Sequence, residues 1–174
     1  MKRAIVITPN DEVKTVEYKG YETDREVVEG SISHVPIDIT HIETPLRRIP
    51  IVAYCNDEGL LQDTCCDNKV NAFITALYGY PIYGNVIVLE EVDVPQYDEN
   101  GEIEYYEKDS DGFDYKEDEQ GEEDICDCWF VEDAFLLNIN HNRETLAKIH
   151  AEYDNNKPQP EIGFISLDDY LDGR

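Results

Sequence analysis

The densest pattern of apolar residues lies in residues 51–91, where it predicts a strand, a turn, a helix and a second strand. The helix is marked by residues at the spacing of one helical face, Val70, Phe73, Ile74 and Leu77. Asp67 or Asn68 is the predicted amino-terminal cap, and Gly79 permits the left-handed turn that ends the helix. Residues 85–89, NVIVL, are continuously apolar, which predicts a strand buried on both faces.

Weaker patterns flank this unit. Residues 2–8 and 13–18 predict an amino-terminal hairpin, and a short helix capped by Thr23 or Asp24 should follow. Residues 32–39 alternate, but Pro36 makes them either an edge strand or no strand, and residues 40–50 predict a loop. Residues 49–54 predict the first strand of the central unit, with a return strand beginning at Leu60 and Leu61.

The second half has fewer elements. Residues 102–107 predict a strand after a turn at residues 98–101, and residues 108–124 predict a mobile loop. Cys126, Cys128 and Phe130 would share one face of a further strand. Residues 142–153 predict a helix, because Leu146, Ile149 and Tyr153 share a face. Residues 162–167 predict a last strand.

These elements predict one α+β domain over residues 1–174. We expect a mixed, mostly antiparallel sheet of five or six strands with two main helices on one face. Residues 1–94 would form the core, residues 95–124 an acidic hairpin and loop insertion, and residues 125–174 a strand-helix-strand addition.

Charge is the unusual property of the chain. It has 40 acidic and 14 basic residues, a net charge of −26, and residues 90–133 contain 20 of those acids with only two bases. Nucleic acids and anionic membranes both require a basic surface, so neither is an expected direct partner. Five scattered cysteines do not form a secreted disulfide framework, and neither a signal peptide nor a membrane span is evident. We therefore expect a cytoplasmic protein.

The central unit resembles an uncharacterised family of phage and mobile-element genomes, domain of unknown function 3846. The resemblance is carried by Asp57, Glu58, Gly59, Asn68, Ala72, Pro81, Ile82, Gly84, Asn85, Val86 and Val88, together with the amino-terminal hairpin. It covers about the first half of the chain. It implies a small α+β domain of phage-like origin and carries over no catalytic residues.

The acidic segment predicts a surface that imitates nucleic acid. Acids on one strand face, such as Glu102 and Glu104, lie about 6.6 Å apart, a spacing comparable to that of phosphates. The predicted partner-binding residues are Glu102, Glu104, Glu107, Asp109, Asp111, Asp114, Glu117, Asp118 and Glu119. The expected partner is a basic nucleic-acid-binding protein of the host, such as a restriction or defence enzyme, and a homodimer would extend the acidic surface. A solvated acidic loop without a partner is the alternative.

Other chemistry has weaker sequence support. Residues 107–118 and 96–107 approximate calcium loops but lack the first Asp and the flanking helices, so we expect no metal site. Cys65, Cys66, Cys126 and Cys128 lack the spacing of a zinc site. No nucleophile motif, phosphate loop or cofactor motif occurs, which predicts a protein that is not an enzyme. The alternative function is binding of a nucleotide or divalent ion near residues 79–84.

Overall fold

The computed structural model describes residues 1–60, 69–116, 120–121, 125–152 and 162–172. The strands in these ranges are β1 (Lys2–Ile7), β2 (Val13–Glu17), β3 (Ile32–Val35), β4 (His41–Glu43), β5 (Arg48–Asn56), β6 (Val86–Tyr97), β7 (Ile103–Asp111) and β8 (Phe113–Asp114). The α-helices are α1 (Tyr21–Val28), α2 (Ala72–Tyr78), α3 (Asp127–His141), α4 (Arg143–Glu152) and α5 (Leu167–Asp172). A 3-10 helix covers Asp57–Leu60.

The strands form one antiparallel sheet with the order β2-β1-β6-β5-β3, in which β4 joins β5, β7 joins β6 and β8 joins β1. The α+β class is confirmed. The sheet has eight described strands rather than five or six, because β4 and β8 are three and two residues long and leave no hydrophobic pattern. Each described pairing is antiparallel, so the expected mixed character is not found in these ranges.

The central part of the sheet is buried on both faces. Val86 and Val88 of β6 belong to the main core beneath α2, α3, α4 and α5, whereas Ile87 and Leu89 belong to a smaller core that includes Val28 of α1. This is the two-sided burial predicted for residues 85–89, and it follows from the alternation of side chains along a strand. The two main helices of the prediction, α2 and α4, contribute to the same core.

Helix α2 starts later than predicted. Its amino-terminal cap is Asn71, whose side-chain oxygen accepts a hydrogen bond from the Ile74 amide at 3.3 Å. The predicted caps Asp67 and Asn68 lie outside the described residues. Gly79 ends the helix in the left-handed conformation at φ 87°, as predicted.

Helix α1 also differs at its start. Gly20 is its cap, and the predicted caps Thr23 and Asp24 lie inside the helix. Thr23 instead accepts a hydrogen bond from the Lys19 amide at 3.0 Å through its hydroxyl oxygen. Asp24 is therefore free of a capping role, and its side chain is buried.

The carboxy-terminal part is helical, and the predicted strand-helix-strand arrangement is wrong. Cys126 caps α3, and Cys128 and Phe130 lie within that helix rather than on a strand face. Its buried positions fall in adjacent pairs that recur every three to four residues: Asp127 and Cys128, Phe130 and Val131, Ala134 and Phe135, and Asn138 and Ile139. The compact apolar run around Phe130 obscured this helical period. The two cysteines nevertheless pack in the core, as expected.

Other predictions also fail locally. Residues 162–166 are extended without being a strand, and Asn138 pairs with the backbone N–H and C=O of Ile165 at 2.7 and 2.8 Å. The 3-10 helix replaces the return strand predicted at Leu60. The predicted loop of residues 40–50 contains β4. The loop predicted over residues 108–124 contains the end of β7 and all of β8, whose Phe113 is buried in the core, and its residues 117–119 and 122–124 lie outside the described residues.

Candidate functional site

The acidic segment forms a two-stranded ribbon that leaves the sheet. Strand β6 pairs with β5 only as far as Glu90, and beyond it the described partner of β6 is β7. We call residues 91–111 the acidic ribbon. Its turn matches the prediction for residues 98–101: the Asp98 carboxylate accepts hydrogen bonds from the amides of Asn100 at 2.8 Å and Glu102 at 2.9 Å. Residues 103–109 are all exposed.

The ribbon concentrates negative charge. It contains nine acidic residues and one base, Lys108, and its acids are Glu91, Asp93, Asp98, Glu99, Glu102, Glu104, Glu107, Asp109 and Asp111. Lys108 pairs with Asp93 at 2.8 Å and with Glu91 at 3.4 Å. The hydrogen bonds that this ammonium donates to Asp93 and Glu91 are the main reason that the pKa of Lys108 is raised, so the group stays charged.

The predicted partner-binding residues lie on both faces of the ribbon. Side chains alternate along a strand, so Glu107, Asp109 and Asp111 share one face of β7. Glu104 shares the opposite face with Lys108. The spacing expected between acids on one face therefore applies to some of the predicted residues. The nine residues do not form a single acidic face.

Two of the predicted residues form ion pairs with Lys2, near the amino terminus. Asp114 lies on β8, outside the ribbon, where it pairs with Lys2 at 3.1 Å, and Asp111 pairs with the same ammonium at 3.4 Å. Within the described chain, Glu102, Glu104, Glu107 and Asp109 take part in no ion pair. Glu117, Asp118 and Glu119 lie outside the described residues. The ribbon thus collects four predicted residues whose charge is not balanced by a described base.

Exposed apolar side chains lie among these acids, and sequence reasoning did not assign them to the site. Tyr97, Tyr105 and Tyr106 are 61%, 56% and 59% exposed, and Ile103 is also exposed. Ile103 and Tyr105 lie on one face of β7, because side chains alternate along a strand. No buried face exists, because the ribbon has left the sheet. The sequence signal that could have identified these side chains is the repetition of tyrosine within a strongly acidic strand.

An ion cluster holds the base of the ribbon. Arg47 donates hydrogen bonds to Glu90 at 2.7 Å and to Asp127 at 2.6 and 3.1 Å, and both carboxylates are buried. Burial acts to lower the pKa of Arg47, but the hydrogen bonds to Asp127 and Glu90 raise it overall. The guanidinium therefore stays charged and ties the start of α3 to β6 where the ribbon begins.

The two calcium-like loops have other structures where they are described. Glu107, Asp109 and Asp111 lie on an extended strand, which cannot wrap around a calcium ion, and Asp98 is engaged within its turn. No cluster of three His, Cys, Asp or Glu suited to a metal occurs in the described ranges. Cys65 and Cys66 lie outside them.

The loop at residues 79–84, the alternative ligand site, is partly core. Ile82 and Tyr83 are buried, and the Ile82 amide donates a hydrogen bond to the Thr75 hydroxyl at 3.0 Å. Tyr80 is exposed and its ring centroid lies 5.4 Å from that of Tyr78. The rings of Tyr80 and Tyr83 would therefore have to move before they could close over a ligand.

No described helix has the length and apolar character needed to cross a membrane. Comparison of the chain with protein-family models, with curated proteins and with solved structures finds no match.

Proposed function

We propose that this chain is a non-catalytic protein-binding module that presents its acidic ribbon to the basic surface of a nucleic-acid-handling protein and blocks it. One observation carries the proposal: a ribbon of nine acids and one base projects from the sheet, with β7 exposed over residues 103–109. Such a ribbon buries too little apolar surface to be needed for the core. A concentrated field of one sign speeds encounter with a surface of opposite sign.

The charge density of the ribbon favours a partner that binds single strands. Its longer strand, β7, has nine residues and is therefore about 30 Å long at a rise of about 3.3 Å per residue. Its net charge of −8 therefore amounts to one charge per about 4 Å of its length. Single-stranded DNA carries one charge per about 3.4 Å, whereas the duplex carries one per about 1.7 Å.

The exposed tyrosines support the same class of partner. Proteins that bind single strands combine a basic groove with aromatic and arginine side chains on which bases stack. Tyr97, Tyr105 and Tyr106 offer rings to such side chains, and arginine interacts favourably with an aromatic face. The carboxylates of the ribbon thus offer the charge contacts that a single strand makes through its phosphates, and the tyrosine rings offer the stacking contacts that it makes through its bases.

The biological setting rests on the resemblance to domain of unknown function 3846. A phage or mobile-element origin makes restriction and other defence enzymes of the host the natural targets of a nucleic-acid decoy, and the cytoplasm the place where they meet. The resemblance supports this setting through the residues of the central unit, and the ribbon itself supplies the binding chemistry.

The test compares two variants with the same change in net charge. The ribbon variant combines Glu102→Gln, Glu104→Gln, Glu107→Gln and Asp109→Asn. The control combines four exposed acids of the helices, Glu22→Gln, Glu26→Gln, Glu144→Gln and Asp169→Asn. Each protein is used to recover partners from lysate at low and at high salt, and a single-stranded oligonucleotide is added as competitor.

We expect the native chain and the control to recover the same few nucleic-acid-binding proteins. Recovery should fall by at least tenfold with the ribbon variant, with high salt and with the oligonucleotide, because charge complementarity drives the contact. Equal recovery by the ribbon variant would contradict the proposal. Competition by duplex alone would identify a duplex-binding partner instead.

A further inference from the structure

A cavity of about 510 Å³ opens where the acidic ribbon joins the body of the protein, beside the start of α1. Its walls include Tyr18, Asp24, Ile32, Tyr54, Asp109 and Asp111. The cavity therefore brings together one buried acid of α1, two acids at the end of β7 and the rings of two tyrosines.

Asp24 lacks part of its expected hydrogen bonding. It is 3% exposed; its Oδ2 accepts a hydrogen bond from the Tyr18 hydroxyl at 3.4 Å, while its buried Oδ1 has no hydrogen-bond partner. A buried carboxylate oxygen without a donor is unfavourable because its hydration is lost and not replaced, and such atoms are rare in folded proteins. This burial raises the pKa of Asp24.

Lys19 and Lys2 do not supply the missing donor, because both ammonium groups pair with other carboxylates. Lys19 lines the same cavity but pairs with Glu17 at 3.2 Å. Lys2 pairs with Asp111 at 3.4 Å and Asp114 at 3.1 Å. The cavity therefore keeps an acidic character even though two ammonium groups lie close to it.

The field inside the cavity is negative. Burial raises the pKa of the Tyr18 hydroxyl first, and the charges of Asp24, Asp111 and Asp109 raise it further. Three carboxylates thus act on one hydroxyl. The rings of Tyr18 and Tyr54 add faces that attract a cation at short range. Since the described residues offer no metal-binding cluster, the chemistry fits an organic cation.

We propose that this cavity binds one organic cation, an alkylammonium or a guanidinium, whose N–H groups donate to the Oδ1 atom of Asp24. The alkyl part lies against Ile32 and the tyrosine rings. Two sources share this chemistry: a free amine of the cell, or a lysine or arginine side chain of the bound partner. The second source rests on the proposed function, because the ribbon would bring that side chain to the cavity.

The first experiment uses butylguanidine as the probe and butylurea, which has nearly the same shape and no charge, as its control. Binding to the full chain is measured by calorimetry and by the carboxyl carbon resonance of Asp24. We expect butylguanidine to bind and to lower the pKa of Asp24, because a bound cation favours the charged carboxylate. Butylurea should not bind.

Variants locate the site. Asp24→Asn preserves shape and removes the charge, so it should weaken butylguanidine binding at least tenfold. Glu26→Gln, an exposed acid on the same helix outside the cavity, should leave binding unchanged. Circular dichroism checks that both variants are folded. Equal binding of butylurea, or undiminished binding by Asp24→Asn, would overturn the inference.

Partner recovery separates the two sources. If the cation is a side chain of the partner, Asp24→Asn and excess butylguanidine both reduce recovery of the proteins that the native chain captures. If it is a free amine, recovery is unchanged while butylguanidine still binds. Butylguanidine binding without capture of any partner would refute the proposed function alone, and capture without butylguanidine binding would refute this inference alone.

Discussion

Asn71 connects three parts of the core through one side chain. It is fully buried, caps α2, and donates hydrogen bonds to the carbonyl oxygens of Ile7 at 2.9 Å and Gly84 at 3.1 Å. The predicted cap was Asp67 or Asn68, although Asn71 is also an asparagine. The choice depends on the carbonyl groups of two other segments, which no local pattern reveals. The end of the helix at Gly79 was predictable because it needs only one residue at positive φ.

Replacing Asn71 tests this connection. Asn71→Ala removes a cap and leaves two buried carbonyl groups without their donor, so we expect a loss of about 2–4 kcal/mol in the free energy of unfolding. Chemical denaturation measures it. Asn85→Ala is the control, because the Asn85 side chain donates one hydrogen bond, at 3.2 Å to the Val27 carbonyl oxygen, and its loss should cost about 1 kcal/mol. Equal losses in the two variants would show that the additional hydrogen bonds of Asn71 contribute nothing to the free energy of unfolding.

Asp24 should destabilise the protein at neutral pH. Burial raises its pKa in the folded state, so the folded protein holds this proton more tightly than the unfolded chain does. Stability from this group is therefore greatest below the unfolded pKa of about 3.9 and is lost as pH rises through the folded pKa. Tyr18, Asp109, Asp111 and Lys2 share this environment.

Asp24→Asn should consequently stabilise the protein by about 1–2 kcal/mol at pH 7, since an amide carries no charge to bury. The difference between variant and native chain should vanish in acid, where Asp24 is protonated in both states. Denaturant titrations at several pH values, with Glu26→Gln as reference, measure this difference. A variant less stable than the native chain at pH 7 would contradict the argument. The helical spacing of Asp24 with Val27 and Val28 was the sequence signal for its burial.

Among the elements, α3 depends on a contact between distant parts of the chain. Arg47 joins Asp127 at the start of α3 to Glu90 of β6. Arg47→Met leaves two buried carboxylates without their cation, and we expect a loss of about 2–4 kcal/mol. The double change of Glu90→Gln and Asp127→Asn in the Arg47→Met background should recover much of that loss. Failure to recover would mean that the arginine stem, rather than its charge, holds α3.

The acidic ribbon should be dispensable for folding. Replacing residues 92–109 by Asn-Gly places a two-residue turn between Glu91 and Ser110, which are already paired across the strands. Because the removed residues are mostly exposed, we expect a folded protein whose free energy of unfolding changes by less than about 1 kcal/mol. Thermal unfolding and circular dichroism measure it. Loss of the cooperative transition would assign the ribbon a structural role.

The sequence predicted the elements with a clear period and missed those without one. Strand β2 and helices α2 and α4 were predicted because their apolar residues follow one period over several residues, and β1 and β6 were predicted from short continuous apolar runs. The start of helix α3 was predicted as a strand, because a short apolar run fits both the helical period and the strand period. The ribbon was predicted from its turn, but its departure from the sheet depends on where β5 stops pairing with β6.

At the scale of the whole molecule, the net charge of −26 opposes compactness. Added salt screens this repulsion, so raising sodium chloride from low to about 0.5 M should stabilise the fold by roughly 1 kcal/mol, or about 2–4 °C in Tm. Scanning calorimetry measures the shift. The variant without residues 92–109 has seven fewer acids and should respond less. A salt response that is equal in both proteins would mean that the ribbon adds nothing to the repulsion.

The free edge of β7 gives the acids of the ribbon a second effect. Its described backbone partner is β6 alone, so its outer N–H and C=O groups can template another strand. Pro95 lacks an amide hydrogen and interrupts such pairing on β6, whereas β7 has no proline. Like charges on two approaching ribbons keep them apart at neutral pH. In acid, where the carboxylates lose their charge, this edge becomes the place at which one molecule can add to the next and begin a fibril.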